Sequence, residues 1–301
     1  MTITLEFDAA MARIAAAGAR WSGEVMQLTR SAFTALVAAA PWSGRAFVAD
    51  IEYGPHPRQR LDVYAPDTPA SGGAPIAIFL HGGGFIAGDK NSDGIFYCNV
   101  GRYLAAHGML GVTANYRLAT TDGWPSGRED VAAIIDYVGR HAPQYGGDPD
   151  RIILIGQSAG ACHVASYLFG PETVAPSICG AIMMSGFYEA AAPLEGGLLA
   201  YFGPDESRYR ARSPITHVAS GHPSIMLSVA EHDPAAIATH TLALARALAI
   251  ADGHAPELHW FRGHNHVSTV HAIGLGTDAV GVAWRDFIDR ALAARKSPAP
   301  D

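Results

Sequence analysis

The run Gly156-Gln157-Ser158-Ala159-Gly160 places a serine between two glycines. It follows an apolar stretch, Ile152-Ile-Leu-Ile155, and precedes an alanine-rich segment with helical character. A serine at a sharp strand-to-helix turn is exposed and held in a strained backbone conformation, the arrangement of a nucleophile elbow. The amide of Ala159 would then open a helix, where developing negative charge is favoured. An ordinary glycine-rich turn is the competing reading, so the serine needs partners.

A second signal is His81-Gly82-Gly83-Gly84-Phe85, directly after the apolar run Ile76-Ala-Ile-Phe-Leu80. Acyl transfer builds an oxyanion that needs preorganised N–H donors, and glycine lets backbone amides approach a substrate closely. A phosphate-cradling loop fits poorly. No G-K-[ST] is present, and the third glycine of a G-x-G-x-x-G pattern would fall on Ile86.

A hydrolytic serine also needs a base and an acid that orients the base. In a strand–helix fold of this kind they follow the nucleophile in the order acid, then histidine. Glu231-His232-Asp233-Pro234 sits at the end of the run Ile225 to Val229 and offers Asp233, with Glu231 as the alternative. Gly263-His264-Asn265-His266 follows a run ending near Phe261, and His264, His266 and His271 compete for the base. Clustered histidines also suggest a metal, but no Asp, Glu or Cys completes a ligand set at motif spacing, so no cofactor is expected.

These motifs must be held by regular elements. Leu61-Asp-Val-Tyr64, Met109 to Thr113, Gly180 to Met184 and Leu258 to Phe261 read as further strands. Arg128 to His141, Ala159 to Phe169, Thr239 to Ile250 and Val280 to Ala294 read as helices. The alternation predicts an α/β class with a mostly parallel sheet wrapped by helices. Residues 8–40 read as one or two helices with a break near Gly23. Two stretches stand outside the alternation: this helical segment and the excursion from Phe187 to Val218. Excursions at strand carboxyl ends tend to cover a site. The expected organisation is a helical cap at 1–44, a catalytic domain at 45–296 and a flexible tail at 297–301.

Composition narrows the function classes. In 301 residues, 49% are hydrophobic and 16% charged, enough for a sizeable core. The net charge of −7 argues against a nucleic-acid or anionic-membrane surface. Three widely spaced cysteines, Cys98, Cys162 and Cys179, suggest free thiols rather than a disulfide framework. The N-terminus carries Glu6 and Asp8 where a signal peptide needs positive charge, and no run approaches the ~18 apolar residues of a membrane span. The expectation is a soluble, cytoplasmic protein.

Taken together, the HGGG loop and the G-x-S-A-G elbow resemble those of hormone-sensitive-lipase-type carboxylesterases. Asn115-Tyr116-Arg117-Leu118 resembles that family's Y-R-L-A-P-E stretch, and Gly147-Asp148-Pro149-Asp150-Arg151 its approach to the elbow. Ala230 to Pro234 and Gly263-x-x-His266 are similar to its acid and histidine motifs. The resemblance covers about residues 45 to 295. Thr120 and Thr121 depart from Pro-Glu, and the elbow reads GQSAGA rather than GDSAGG. These features look more like the neighbouring bacterial esterase and kynurenine-formamidase branch, which leaves the substrate open.

The resemblance implies an α/β-hydrolase fold and a carboxylic ester hydrolase without cofactor. Its catalytic residues would be Ser158, Asp233 and His266, with the amides of Gly83, Gly84 and Ala159 as oxyanion hole. Short- to medium-chain or small aromatic esters are the expected substrates, with Phe85, Trp21, Tyr188 and Leu199 at the pocket. An arylformamidase with the same triad and a non-catalytic ligand-binding scaffold are the alternatives. The expected partner is a small-molecule ester, with no nucleic acid and no membrane span; a homodimer is a further possibility.

Overall fold

A computed structural model of the chain describes residues 2–42, 47–68, 71–171 and 174–295. The expected tail at 297–301 and the expected boundary at 44–45 lie outside the described residues.

Eight strands form one sheet: β1 (Phe47–Glu52), β2 (Arg60–Tyr64), β3 (Ala74–Leu80), β4 (Leu110–Ala114), β5 (Gly147–Gln157), β6 (Ile178–Met184), β7 (Ser224–His232) and β8 (Glu257–Asn265). Their order is β1-β2-β4-β3-β5-β6-β7-β8. Only β2 runs against its neighbours; β3 to β8 are parallel. The helices are α1 (Thr2–Ala17), α2 (Gly23–Ala38), α3 (Cys98–Ala106), α4 (Ser126–His141) and α5 (Ala159–Leu168). They continue as α6 (Gly196–Phe202), α7 (Tyr209–Arg212), α8 (Ala235–Asp252), α9 (Ser268–His271) and α10 (Ala279–Ala294). The mostly parallel sheet with helices on both faces matches the sequence-based expectation.

The continuous apolar runs follow from this layering. Along β5, Ile153 and Ile155 pack into the core shared with α1, α2, α3 and α10, while Ile152 and Leu154 face the core under α4, α5 and α8. A strand covered on both faces has no polar side to alternate with. The helix α8 is apolar and long enough, by composition, to cross a membrane. Here it lies on the sheet and buries Ile237, Leu244 and Leu248.

The N-terminal segment divides into two helices, as expected near Gly23. Ser22 starts α2 by accepting a hydrogen bond from the Val25 amide at 3.2 Å, a usual N-cap arrangement. Both helices dock on the main core through Phe7, Ile14, Phe33 and Leu36.

Candidate active site

The elbow lies between β5 and α5. Ser158 takes φ 56° and ψ −118°, a conformation that L-residues rarely adopt. The turn is held by its own amide, which donates to the Met184 carbonyl at 2.9 Å. The first turn of α5 presses on the end of β3: a Cβ on Gly160 would collide with the Leu80 carbonyl oxygen. Only glycine permits this approach.

The glycine loop follows β3 directly. Gly83 sits at φ 142°, and a Cβ there would run into the Ala87 carbonyl. Among the described residues, the amides of Gly83, Gly84 and Ala159 donate to no protein acceptor. His81 anchors the loop from beneath. Its ring is fully buried, with Nδ1 2.6 Å from the Gly82 carbonyl oxygen and Nε2 3.4 Å from Arg58 Nη2. Burial pushes this imidazole down to about 4, so it stays neutral near pH 7. Tyr116 Oη also donates to the His81 carbonyl at 2.8 Å.

Asp233 stands just past β7 and His266 just past β8. His266 Nδ1 lies 2.8 Å from Asp233 Oδ1, and both side chains are buried. The other oxygen, Asp233 Oδ2, accepts from Ser185 Oγ at 2.7 Å and from the Ala230 amide at 2.8 Å. A proton on Nδ1 leaves Nε2 as a lone-pair base. Nε2 is buried and has no hydrogen-bond partner among the described residues. Gln157, beside the elbow serine, holds the same loop by donating to the His266 carbonyl at 3.0 Å.

The competing residues have other duties. His264 Nδ1 lies 3.1 Å from Ser268 Oγ, and His271 is packed against Phe96. Burial lowers the first to about 4 and the second to about 3. Glu231 is exposed and accepts the Gly263 amide at 2.6 Å, whereas the His266 ring is paired with Asp233.

Ser158 and His266 open on a cavity of about 560 Å³. Its walls are apolar: Trp21 from the connection between α1 and α2, Met26 from α2, Phe85 and Ile86 from the glycine loop, and Phe187 and Leu198 from the excursion after β6. Trp21 meets the His266 ring edge-on, with centroids 4.8 Å apart. Two expected pocket residues are misplaced. Tyr188 is fully buried in the core beneath α5, because successive residues of an extended chain face opposite ways and Phe187 takes the cavity side. Leu199 is exposed outside the cavity: a helix turns about 100° per residue, and Leu198 is the one facing inward.

Comparison with known proteins agrees with this fold. Residues 61–173 match the family model described as BD-FAE. The structure superposes on esterase B of Lactobacillus rhamnosis with a TM-score of 0.74, covering 96% of this chain and 97% of that one at 19% identity. The chain has the α/β-hydrolase fold. Among curated proteins, the chain is 37% identical over 158 residues to a probable isoprenylcysteine alpha-carbonyl methylesterase of Oryza sativa, covering 51% of this chain and 33% of that one. It is 28% identical over 208 residues to the probable carboxylic ester hydrolase LipM of Mycobacterium tuberculosis, covering 61% of this chain and 47% of that one. The chain therefore spans about a third to a half of the length of these two relatives. The resemblance read from the motifs holds at the level of α/β-hydrolase-fold carboxylesterases, and the hormone-sensitive-lipase-like branch is consistent with it.

Sequence reasoning passed over two residues of this site. Ser185 holds the aspartate, and its only signal is a polar residue directly after the apolar run of β6. Tyr97 lines the cavity without any motif around it, while Met26 comes from the helical segment expected to wall it. Tyr97 adopts φ 65° at the start of α3, an uncommon conformation for so bulky a residue.

Proposed function

We propose that the chain is a serine carboxylesterase acting on short- to medium-chain or small aromatic esters. The observation that carries this reading is the 2.8 Å His266–Asp233 pair, with an unpaired Nε2 on the same cavity as the strained Ser158. The names of the relatives support the same reading.

In the proposed reaction, Ser158 Oγ attacks the ester carbonyl while His266 Nε2 takes its proton. Asp233 holds the imidazole tautomer and stabilises the imidazolium. The amides of Gly83, Gly84 and Ala159 receive the oxyanion. Collapse of the tetrahedral intermediate passes the proton from His266 to the departing alkoxide and leaves an acyl-serine. Water then attacks this ester with His266 again as base, releasing the acid and restoring Ser158.

An apolar cavity with few polar groups suits a compact acyl or aryl group rather than a long triglyceride chain. The helical segment bearing Trp21 and Met26 acts as a cap in this account. A panel of p-nitrophenyl esters of graded acyl length, run beside N-formylkynurenine, tests the proposal. A maximum at short or medium chains supports it. Turnover of the formamide with none of the esters overturns it.

A further inference from the structure

The cavity over Ser158 contains a carboxylate that the proposed hydrolysis does not use. Glu195 lies at the N-terminal boundary of α6 and lines the cavity. Its side chain does not cap that helix, although it occupies the capping position. It has no ion-pair or hydrogen-bond partner among the described residues. The turn that carries it is pressed against the oxyanion loop, because a Cβ on Gly197 would collide with the Gly84 carbonyl oxygen. The backbone that carries Glu195 is thus held against the glycine loop, and its exposed carboxylate is left unpaired.

It is also the only carboxylate lining the cavity among the described residues, and the lining holds no Lys or Arg. The cation in this neighbourhood, Arg20, lines a separate small cleft with Trp21 and donates from Nε to the Ala17 carbonyl at 2.9 Å. Glu195 is exposed at the edge of these apolar walls, so its charge acts on a bound ester through a solvent-screened attraction. The half-exposed indole of Trp21 stands on the same cavity, and a carboxylate with an indole face is the pairing that attracts alkylammonium groups.

We propose that Glu195 selects substrates by charge, so that the cavity favours esters bearing an ammonium group over neutral ones and disfavours those bearing a second carboxylate. This inference rests on the carboxylesterase reading above and refines its substrate class.

Isosteric esters test it. Butyrylcholine and 3,3-dimethylbutyl butanoate differ in charge at nearly constant shape, and a p-nitrophenyl hemisuccinate against p-nitrophenyl pentanoate supplies the anionic comparison. The cationic ester should lead its neutral isostere in kcat/KM by about threefold to tenfold, and the anionic ester should trail by a similar factor; Glu195 is solvent-exposed, which keeps the effect small. Added salt should narrow both ratios. Glu195→Gln should bring them toward one, and Glu195→Lys should invert them. Ratios unchanged in Glu195→Gln overturn the proposal. Calorimetric binding of phenyltrimethylammonium against tert-butylbenzene separates it from the hydrolase reading. Glu195-dependent preference for the ammonium compound with no ester turned over contradicts the esterase and supports charge selection. Ester turnover with neither preference contradicts charge selection alone.

Discussion

Thr29 Oγ1 accepts a hydrogen bond from Asn265 Nδ2 at 2.8 Å, joining the middle of α2 to the residue before His266. Both side chains are buried. Asn265 Oδ1 also receives the Ser268 amide at 3.0 Å, so one side chain fixes both the histidine turn and its tie to the N-terminal helices. The segment that walls the cavity therefore also helps to set the position of His266.

Breaking that tie should lower turnover without touching the cavity. Thr29→Val keeps the shape and leaves Asn265 Nδ2 buried without an acceptor, at a cost of about 1–3 kcal/mol. The expected outcome is a lower Tm and a kcat reduced roughly tenfold through a less well-placed His266, with KM little changed. A variant with normal kcat and reduced Tm would make the bond purely structural.

The N-terminal helices divide their residues between core and cavity, and single substitutions can separate the two. Ile14→Ala removes a fully buried side chain and should cost about 2–5 kcal/mol. Trp21→Ala truncates a half-exposed one and should leave Tm nearly unchanged while shifting the preferred acyl length. Removal of the whole segment confounds the two effects, because Ile14 and Phe33 belong to the main core. An unchanged chain-length profile in Trp21→Ala would argue against a cap.

Ser185 and Asp233 form a hydrogen-bonded chain behind His266. Asp233→Asn should reduce kcat by about 10⁴ through the wrong imidazole tautomer, whereas Glu231→Gln should retain most activity. Ser185→Ala removes one hydrogen bond from Asp233 Oδ2 and should give an intermediate loss, partly restored in Ser185→Thr. Equal losses in Asp233→Asn and Glu231→Gln would contradict the assignment of the acid.

The overall plan was legible because the chemistry sits at the ends of strongly apolar strands. Ile76 to Leu80 and Ile152 to Ile155 announce buried parallel strands, and the glycines after them mark the turns. What stayed hidden depends on the third dimension. β1 is largely exposed and lacks an apolar run, so it leaves no periodic trace. The choice of Leu198 over Leu199, and of Phe187 over Tyr188, turns on which way one residue faces, which composition does not encode. The Thr29–Asn265 bond spans 236 positions and follows only from the docking of α2.

Four buried imidazoles make stability depend on pH. Burial lowers His81 and His264 to about 4, and His163 and His271 to about 3. Each is freed to take a proton on unfolding, at an ordinary value of about 6.5. The unfolded chain then binds more protons below that pH, so stability is fully present above about 6.5 and falls as the pH drops toward 4. Tm should decline steadily from pH 7 to pH 4.5, with proton uptake on unfolding. His163→Leu should flatten that decline, and a Tm unchanged across the range would contradict it.

Ser158 as the acylated nucleophile is the centre of the account, and covalent labelling reads it directly. A fluorophosphonate probe should modify the intact protein once, and peptide mass spectrometry should place the adduct on Ser158. Ser158→Ala should abolish both labelling and turnover, with a loss in kcat on the order of 10⁶. An adduct on a different residue, or ester turnover preserved in Ser158→Ala, would contradict it.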